Sequence, residues 1–280
     1  MSDQTDEAGT SSVDRLDLSV PHSARVYDYF LGGKTNFAVD REAGDHLLEA
    51  FPGFRTAAQS NRMWMHRAAK YVAERGVTQF LDVGTGIPTS PNLHEVVQAI
   101  VPEARVVYAD NDPIVLAHSR ALLVSSPHGE TAYLEADVTD PQAILDSTEV
   151  REVLDLSKPV ALCLVGVFHY ITDDQKPYEL VQQLLEPLAS GSYLIFSHCT
   201  PDFAPAMWEQ AIQVYKADGG DAQVRSREEI ERFFTGLELV EPGVEVPYRW
   251  HPDEETQQLA ERRVFTDVSC SLWVGVGKKP

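Results

Sequence analysis

The stretch QFLDVGTGIPT, residues 79–89, decides the fold of this 280-residue chain. QFLDV reads as a short buried strand, and the Gly84-Thr85-Gly86 turn after it leads into a helical pattern near Asn92–Ile100. Glycines at 84 and 86 let the backbone turn sharply and approach a ligand closely, with the turn amides facing the crevice. A single G-x-G after a strand is a weak signal. The dinucleotide version needs a third glycine for helix–strand contact above a pyrophosphate. Here Thr89 holds that position, behind Pro88, which disfavours NAD and FAD and asks for a ligand without a diphosphate.

Working outward, strand and helix signals alternate. ARVVYAD (104–110) and TAYLEAD (131–137) are the second and third strands. Asp112-Pro113 and Asp140-Pro141 each supply an N-cap followed by a first-turn proline. PVALCLVGVF (159–168) is a nearly continuous apolar run, as expected of a central strand covered on both faces. A helix over 174–188, the strand SYLIFSH (192–198) and a helix over 204–217 follow. Ser226 and Glu229 form a capping box, and Gly236 closes that helix. LELVEPGVEV (237–246) and VSCSLWVGVG (268–277) read as a terminal antiparallel pair with no clear helix of about ten apolar-periodic residues between them. Strands alternating with helices imply an α/β fold with an open, mostly parallel sheet. Upstream, Trp64, Ala68 and Val72 follow i, i+4 spacing and Gly76 is a stop, so residues 20–76 read as a helical extension ahead of a main domain over 77–280. Residues 1–19 are polar and acidic and read as a disordered tail.

Composition narrows the partners. Hydrophobic residues make up 43% and charged residues 24%, enough for one sizeable core. The 23 basic residues against 43 acidic ones leave a net charge of −20, which repels phosphate backbones and anionic lipid, so neither nucleic acid nor a membrane is an expected partner. The longest apolar run, Val160 to Phe168, is far short of the ~20 residues of a membrane helix. The N-terminus lacks a basic segment followed by an apolar one, so a secretory signal is not expected. Cys163, Cys199 and Cys270 are too scattered for a disulfide scaffold, and the expected location is cytoplasmic. No His/Cys spacing suggests a metal site.

Three successive strand tips carry the chemistry. Gly84 and Gly86 form the turn, while Asp110, with Asn111 beside it, can accept from both hydroxyls of a ribose. Asp137 can accept from an exocyclic adenine amine, and the N–H of Val138 can donate to a ring nitrogen. Together they describe an adenosine site without a phosphate cradle.

FLDVGTGIPT (80–89), VVYADNDPIVL (106–116) and LEADVTDP (134–141) resemble the S-adenosylmethionine-binding motifs of class I, Rossmann-like methyltransferases. PHSARVYDYFLGGKTNFAVDREAG (21–44), residues 61–98 and VFHYITDD (167–174) resemble, more narrowly, the actinobacterial S-adenosyl methyltransferase family. That resemblance implies a seven-stranded sheet with a reversed last strand, a helical N-terminal segment and S-adenosyl-L-methionine as cofactor. The family more often has proline where Thr172 stands.

With that cofactor, Asp82 is placed to meet the methionyl ammonium or to hold the Gly84-Thr85-Gly86 turn. Residues 21–37 are expected to close over the strand tips as a lid bearing Tyr27, Tyr29, Gly33 and Asn36, with Arg25 or Arg62 pairing the methionyl carboxylate. His169 and His198, expected at the rim after the fourth and fifth strands, are the candidate proton acceptors. Tyr248, Trp250 and His251 are further candidates for an acceptor pocket. The expected activity is methyl transfer to oxygen or nitrogen of a small molecule. A non-catalytic sensor of the same cofactor is the alternative, and a nicotinamide-dependent oxidoreductase is disfavoured by the missing glycine.

Overall fold

A computed structural model describes residues 18–122 and 125–280, so the tail expected over 1–19 lies, but for its last two residues, outside the described residues. Three helices come first: α1 (Ser23–Phe30), α2 (Ala38–Ala50) and α3 (Phe54–Ala73). Then β1 (Gln79–Val83), α4 (Leu93–Gln98), β2 (Arg105–Asp110), α5 (Pro113–Leu122) and β3 (Glu130–Glu135) alternate as expected. Helices α6 (Pro141–Asp146) and α7 (Thr148–Val153) lead to β4 (Ala161–Val165), α8 (Pro177–Leu185), β5 (Tyr193–Cys199) and α9 (Pro205–Ala217). The chain ends with α10 (Arg227–Glu231), β6 (Glu238–Leu239), α11 (Glu254–Glu261), α12 (Asp267–Cys270) and β7 (Leu272–Lys278).

The sheet has seven strands in the order β3-β2-β1-β4-β5-β7-β6. The first five pair in parallel, and β7 runs antiparallel to both β5 and β6. The order reverses between β1 and β4, the switch point where open α/β sheets bind ligands at the carboxyl ends of their strands. In register, Val83 of β1 lies beside Ala109 of β2, and Asp110 lies beside Glu135 of β3, so the three tips share one edge.

Both faces of the sheet are covered, which explains the unbroken apolar strands. Leu81, Val107, Leu162, Leu194 and Phe196 point to one face, against Val181 and Leu184 of α8 and Phe233. Phe80, Val106, Ala161, Cys163 and Ile195 point to the other, against Trp64, Ala68 and Val72 of α3. The i, i+4 stripe of α3 therefore belongs to the main core, where losing a fully buried tryptophan costs about 3–5 kcal/mol. Helices α1 and α2 pack instead on α9, through Phe30, Leu47 and Trp208.

The expected caps form. Asp140 accepts from the N–H of Ala143 at 3.0 Å, and Asp112 from that of Ile114 at 2.8 Å. Ser226 and Glu229 close their box with bonds of 2.7 and 3.3 Å. Thr172, in place of the family's proline, caps a short 3-10 turn over Asp173–Gln175.

The end of the chain departs from expectation. The strand read over 237–246 is only two residues long, because Pro242 offers no N–H to a ladder; the chain turns and rejoins β7 through a bridge from Glu245 to Val274. The strand read from Val268 starts at Leu272, since Thr266 caps a helical turn first. The short helix α11 lies between them, outside the kind of apolar-periodic helix that the sequence lacks there. Only Thr256 of it is buried, so it carries no apolar stripe to be read.

Candidate active site

At the carboxyl ends of β1, β2 and β4 lies a crevice of about 700 Å³ including its open mouth, lined by His22, Ser23, Ala24 and Tyr27 at the start of α1. Arg62 and Met65 of α3 form one wall, and Gly166, Val167 and Tyr170 after β4 form another. Asp82, Thr85, Asp110 and Asn111 complete it. Gly84 has φ +74°, and a Cβ there would fall 2.6 Å from the Val167 side chain, so only glycine fits. At Gly86 a Cβ would meet nothing within 4 Å, because the turn faces open space.

Asp110 is nearly buried at the tip of β2. Its carboxylate accepts from the N–H of Gly86 at 2.8 Å and from the N–H of Asp112 at 3.0 Å. Burial raises its pKa despite those bonds. Each carboxylate oxygen has two lone-pair sites, so both oxygens keep one for a ligand hydroxyl.

Asp82 sits behind the turn and accepts from Thr85 Oγ1 at 2.9 Å. Burial pushes its carboxyl up to about 6, with the Thr85 bond and the Arg62 charge pulling against that rise. The guanidinium of Arg62 donates to the Pro91 carbonyl at 3.0 Å and to that of Thr89, and burial lowers its pKa. A cation and two carboxylates thus face one small volume.

The third tip stands further back. Asn111 donates to Asp137 at 3.0 Å, and Asp137 also accepts from the N–H and hydroxyl of Thr139 at 2.8 and 2.7 Å. Neither Asp137 nor Val138 lines the crevice, and Val138 packs into the core.

Several N-terminal expectations need correction. Arg25 does not reach the crevice: it is buried between Asp40 and Asp112, at 3.6 and 3.4 Å, and donates to the Val20 carbonyl. Gly33 and Asn36 build the turn after α1. Asp28 accepts there from the N–H of Thr35 at 2.9 Å and from Asn36 Nδ2 at 2.7 Å, and a Cβ on Gly33 would strike its carboxylate. Tyr29 points away and donates to Asp45 at 2.6 Å. Of the four residues expected in the lid, Tyr27 alone lines the crevice; its hydroxyl donates to the Ala58 carbonyl at 3.1 Å.

The histidines separate too. His198 is fully buried, with Nε2 taking a 2.9 Å bond from Arg225 and Nδ1 lying 2.7 Å from the Cys199 carbonyl, so it is a strut beneath the rim. His169 is half-buried, borders an adjacent apolar cavity, and has no partner for Nδ1. Trp250 is core, against Trp64, while Tyr248 donates to Asp267 and His251 meets the Glu241 carbonyl. Sequence reading missed His22, Met65 and Tyr170 as lining residues. Tyr170 lay within the quoted HYITDD, but an aromatic after a strand has no distinguishing pattern.

The donor set fits a nucleoside that bears both charges of an amino acid: carboxylates for hydroxyls and an ammonium, a guanidinium for a carboxylate, and a glycine turn open to a ligand. The S-adenosyl methyltransferase family profile matches residues 9–280. A DUF574 family protein from Streptomyces avermitilis is 47% identical, with a TM-score of 0.91 over 95% of this chain and 100% of that one. A candidate methyltransferase from Thermobifida fusca is 40% identical, with a TM-score of 0.84 over 94% of this chain and 96% of that one. The plantazolicin methyltransferase BpumL, solved with S-adenosylhomocysteine, is 14% identical and shares the fold alone, with a TM-score of 0.52 over 92% of this chain and 95% of that one. No curated protein sequence matches the chain. By sequence profile and by two near relatives, this chain belongs to the S-adenosyl methyltransferase family, enzymes of the class I Rossmann-like fold whose cofactor is S-adenosylmethionine.

Proposed function

We propose that this chain methylates an oxygen or nitrogen of a small molecule in the cytoplasm. The observation that carries the reading is the convergence of Arg62, Asp82 and Asp110 on one crevice at the switch point of the sheet. Asp110 and Asn111 hold the ribose, Asp82 the methionyl ammonium and Arg62 the methionyl carboxylate. Asp137 and the N–H of Val138 meet the adenine at the outer edge, and Tyr27 closes the roof. When bound, S-adenosylmethionine supplies a methyl group made electrophilic by a positively charged sulfur. The chain's own task is alignment of donor and acceptor, a contribution with an upper range of ~7–11 kcal/mol for well-oriented reactants. His169 is the proton acceptor of this reading. Burial holds its imidazole at about 4, so it is neutral near pH 7, and its buried Nδ1 has no hydrogen-bond partner within the chain.

A small acceptor suits a surface with a net charge of −20, which repels nucleic acid. Three free, buried cysteines suit a reducing compartment. Thermal shift with S-adenosylmethionine, S-adenosylhomocysteine and NAD in parallel tests the cofactor. At 100 times its dissociation constant a ligand adds ~2.7 kcal/mol of stability. Shifts with the first two and none with NAD are expected, followed by methyl transfer to members of a metabolite panel. A shift with NAD alone would sink the proposal.

A further inference from the structure

We infer that the cavity behind Tyr170 is the acceptor site, and that it takes a neutral, mainly apolar, aromatic molecule. This rests on the proposed function. The cavity, about 530 Å³ including its open mouth, lies between α1, α2, the start of α3 and α9. Tyr170 lines both this cavity and the cofactor crevice, so the two meet at one side chain.

Composition sets the ligand class. Phe30, Phe54, Trp208, Tyr215, His169 and Tyr170 supply rings, and no Asp, Glu, Lys or Arg is among the lining residues. Flat aromatic walls favour offset or edge-on packing of another ring. A charged acceptor would lose its hydration there and gain no counter-ion, which is costly. Arg225, one residue after the lining Val224, is not itself among the lining residues; it donates to the carbonyls of Phe168 at 3.3 Å and Ile171 at 3.0 Å and so holds the segment that carries His169 and Tyr170. Two buried polar atoms of the wall residues, His169 Nδ1 and Trp208 Nε1, have no hydrogen-bond partner. Both atoms lie beneath the wall surface, so the face offered to a ligand is mainly apolar.

The test uses 2-naphthol and the ring carboxylate 2-naphthoate, an anion at this pH, as probes in ligand-observed NMR titrations of the full chain at pH 7.5. Calorimetry with S-adenosylhomocysteine is run on the same samples. Saturable binding of 2-naphthol at least tenfold tighter than 2-naphthoate is expected. Ala222→Trp, which fills the cavity from a loop, should weaken 2-naphthol at least tenfold and leave S-adenosylhomocysteine affinity within about twofold. Val224→Trp repeats the test should the first variant fail to fold, and Val264→Trp, at an exposed position that lines neither cavity, should change neither affinity. Naphthol binding that ignores the filling variants, or a preference for naphthoate, overturns the proposal. A chain that binds S-adenosylhomocysteine but no naphthol overturns the acceptor site alone. One that binds naphthol but no S-adenosylhomocysteine overturns the proposed function, and with it the role of the cavity.

Discussion

The N–H of Gly86 donates a 2.8 Å hydrogen bond to the carboxylate of Asp110, joining the turn after β1 to the tip of β2. The glycine turn and the proposed ribose acceptor are therefore one mechanical unit. A substitution at either end disturbs both.

Asp110→Ala should accordingly have two effects. It removes the proposed ribose acceptor and leaves the N–H groups of Gly86 and Asp112 without their partner, each at a cost of about 1–3 kcal/mol if water cannot replace it. S-adenosylhomocysteine affinity should fall at least tenfold by calorimetry, with a measurable loss of stability in urea. Affinity within twofold of the parent would refute the ribose role.

Asp82 links binding to pH. Its carboxyl is raised from the ordinary 3.8 to about 6, chiefly by burial. Between those values the folded chain binds more protons than the unfolded chain, so stability falls as pH rises from about 4 to 6 and is level above. The gap corresponds to ~3 kcal/mol at most. Asp82→Asn should flatten that part of the stability profile in urea titrations. In the parent, an ammonium beside Asp82 favours its charged form, so cofactor binding near pH 6 should release protons. Calorimetry in buffers of different ionisation enthalpy reads this directly, and equal proton release from Asp82→Asn would exclude the assignment.

Arg62 should discriminate by ligand. Arg62→Ala is expected to weaken S-adenosylhomocysteine at least tenfold while leaving 5′-methylthioadenosine, which lacks the amino-acid moiety, within about threefold. Equal losses for both ligands would mean that Arg62 acts through the Thr89 and Pro91 carbonyls it holds.

Arg25 should behave differently. Its guanidinium is buried between Asp40 and Asp112, and removing one partner of a buried ion pair costs about 3–5 kcal/mol. Arg25→Met should lower the urea midpoint by a corresponding amount. A variant of unchanged stability but weakened cofactor binding would restore Arg25 to the site.

Much of the fold was legible because both covered faces of the sheet write themselves into the strands, as in ALCLV of β4, and because caps such as Asp140 and Ser226 are local chemistry. The end of the chain was less so. Helix α11 buries a single threonine, and β6 has two residues, so neither leaves a periodic signal. Within the site, Asp82, Gly84, Gly86 and Asp110 could be read because each stands at a strand end or in the turn after it.

The chain's own residue order determined the α/β alternation, the Gly84–Gly86 turn and the carboxylates at the strand tips, since burial on a pleated sheet and tight turns impose patterns only a few residues long. Tertiary structure alone decided which arginine faces the crevice and which is spent on an internal ion pair, that His198 is a strut, and that Tyr170 stands between two cavities. Those outcomes depend on residues far apart in the chain, such as Arg25 with Asp112 and His198 with Arg225. A guanidinium or an imidazole has the same chemistry in either role, and only its neighbours in space tell the roles apart.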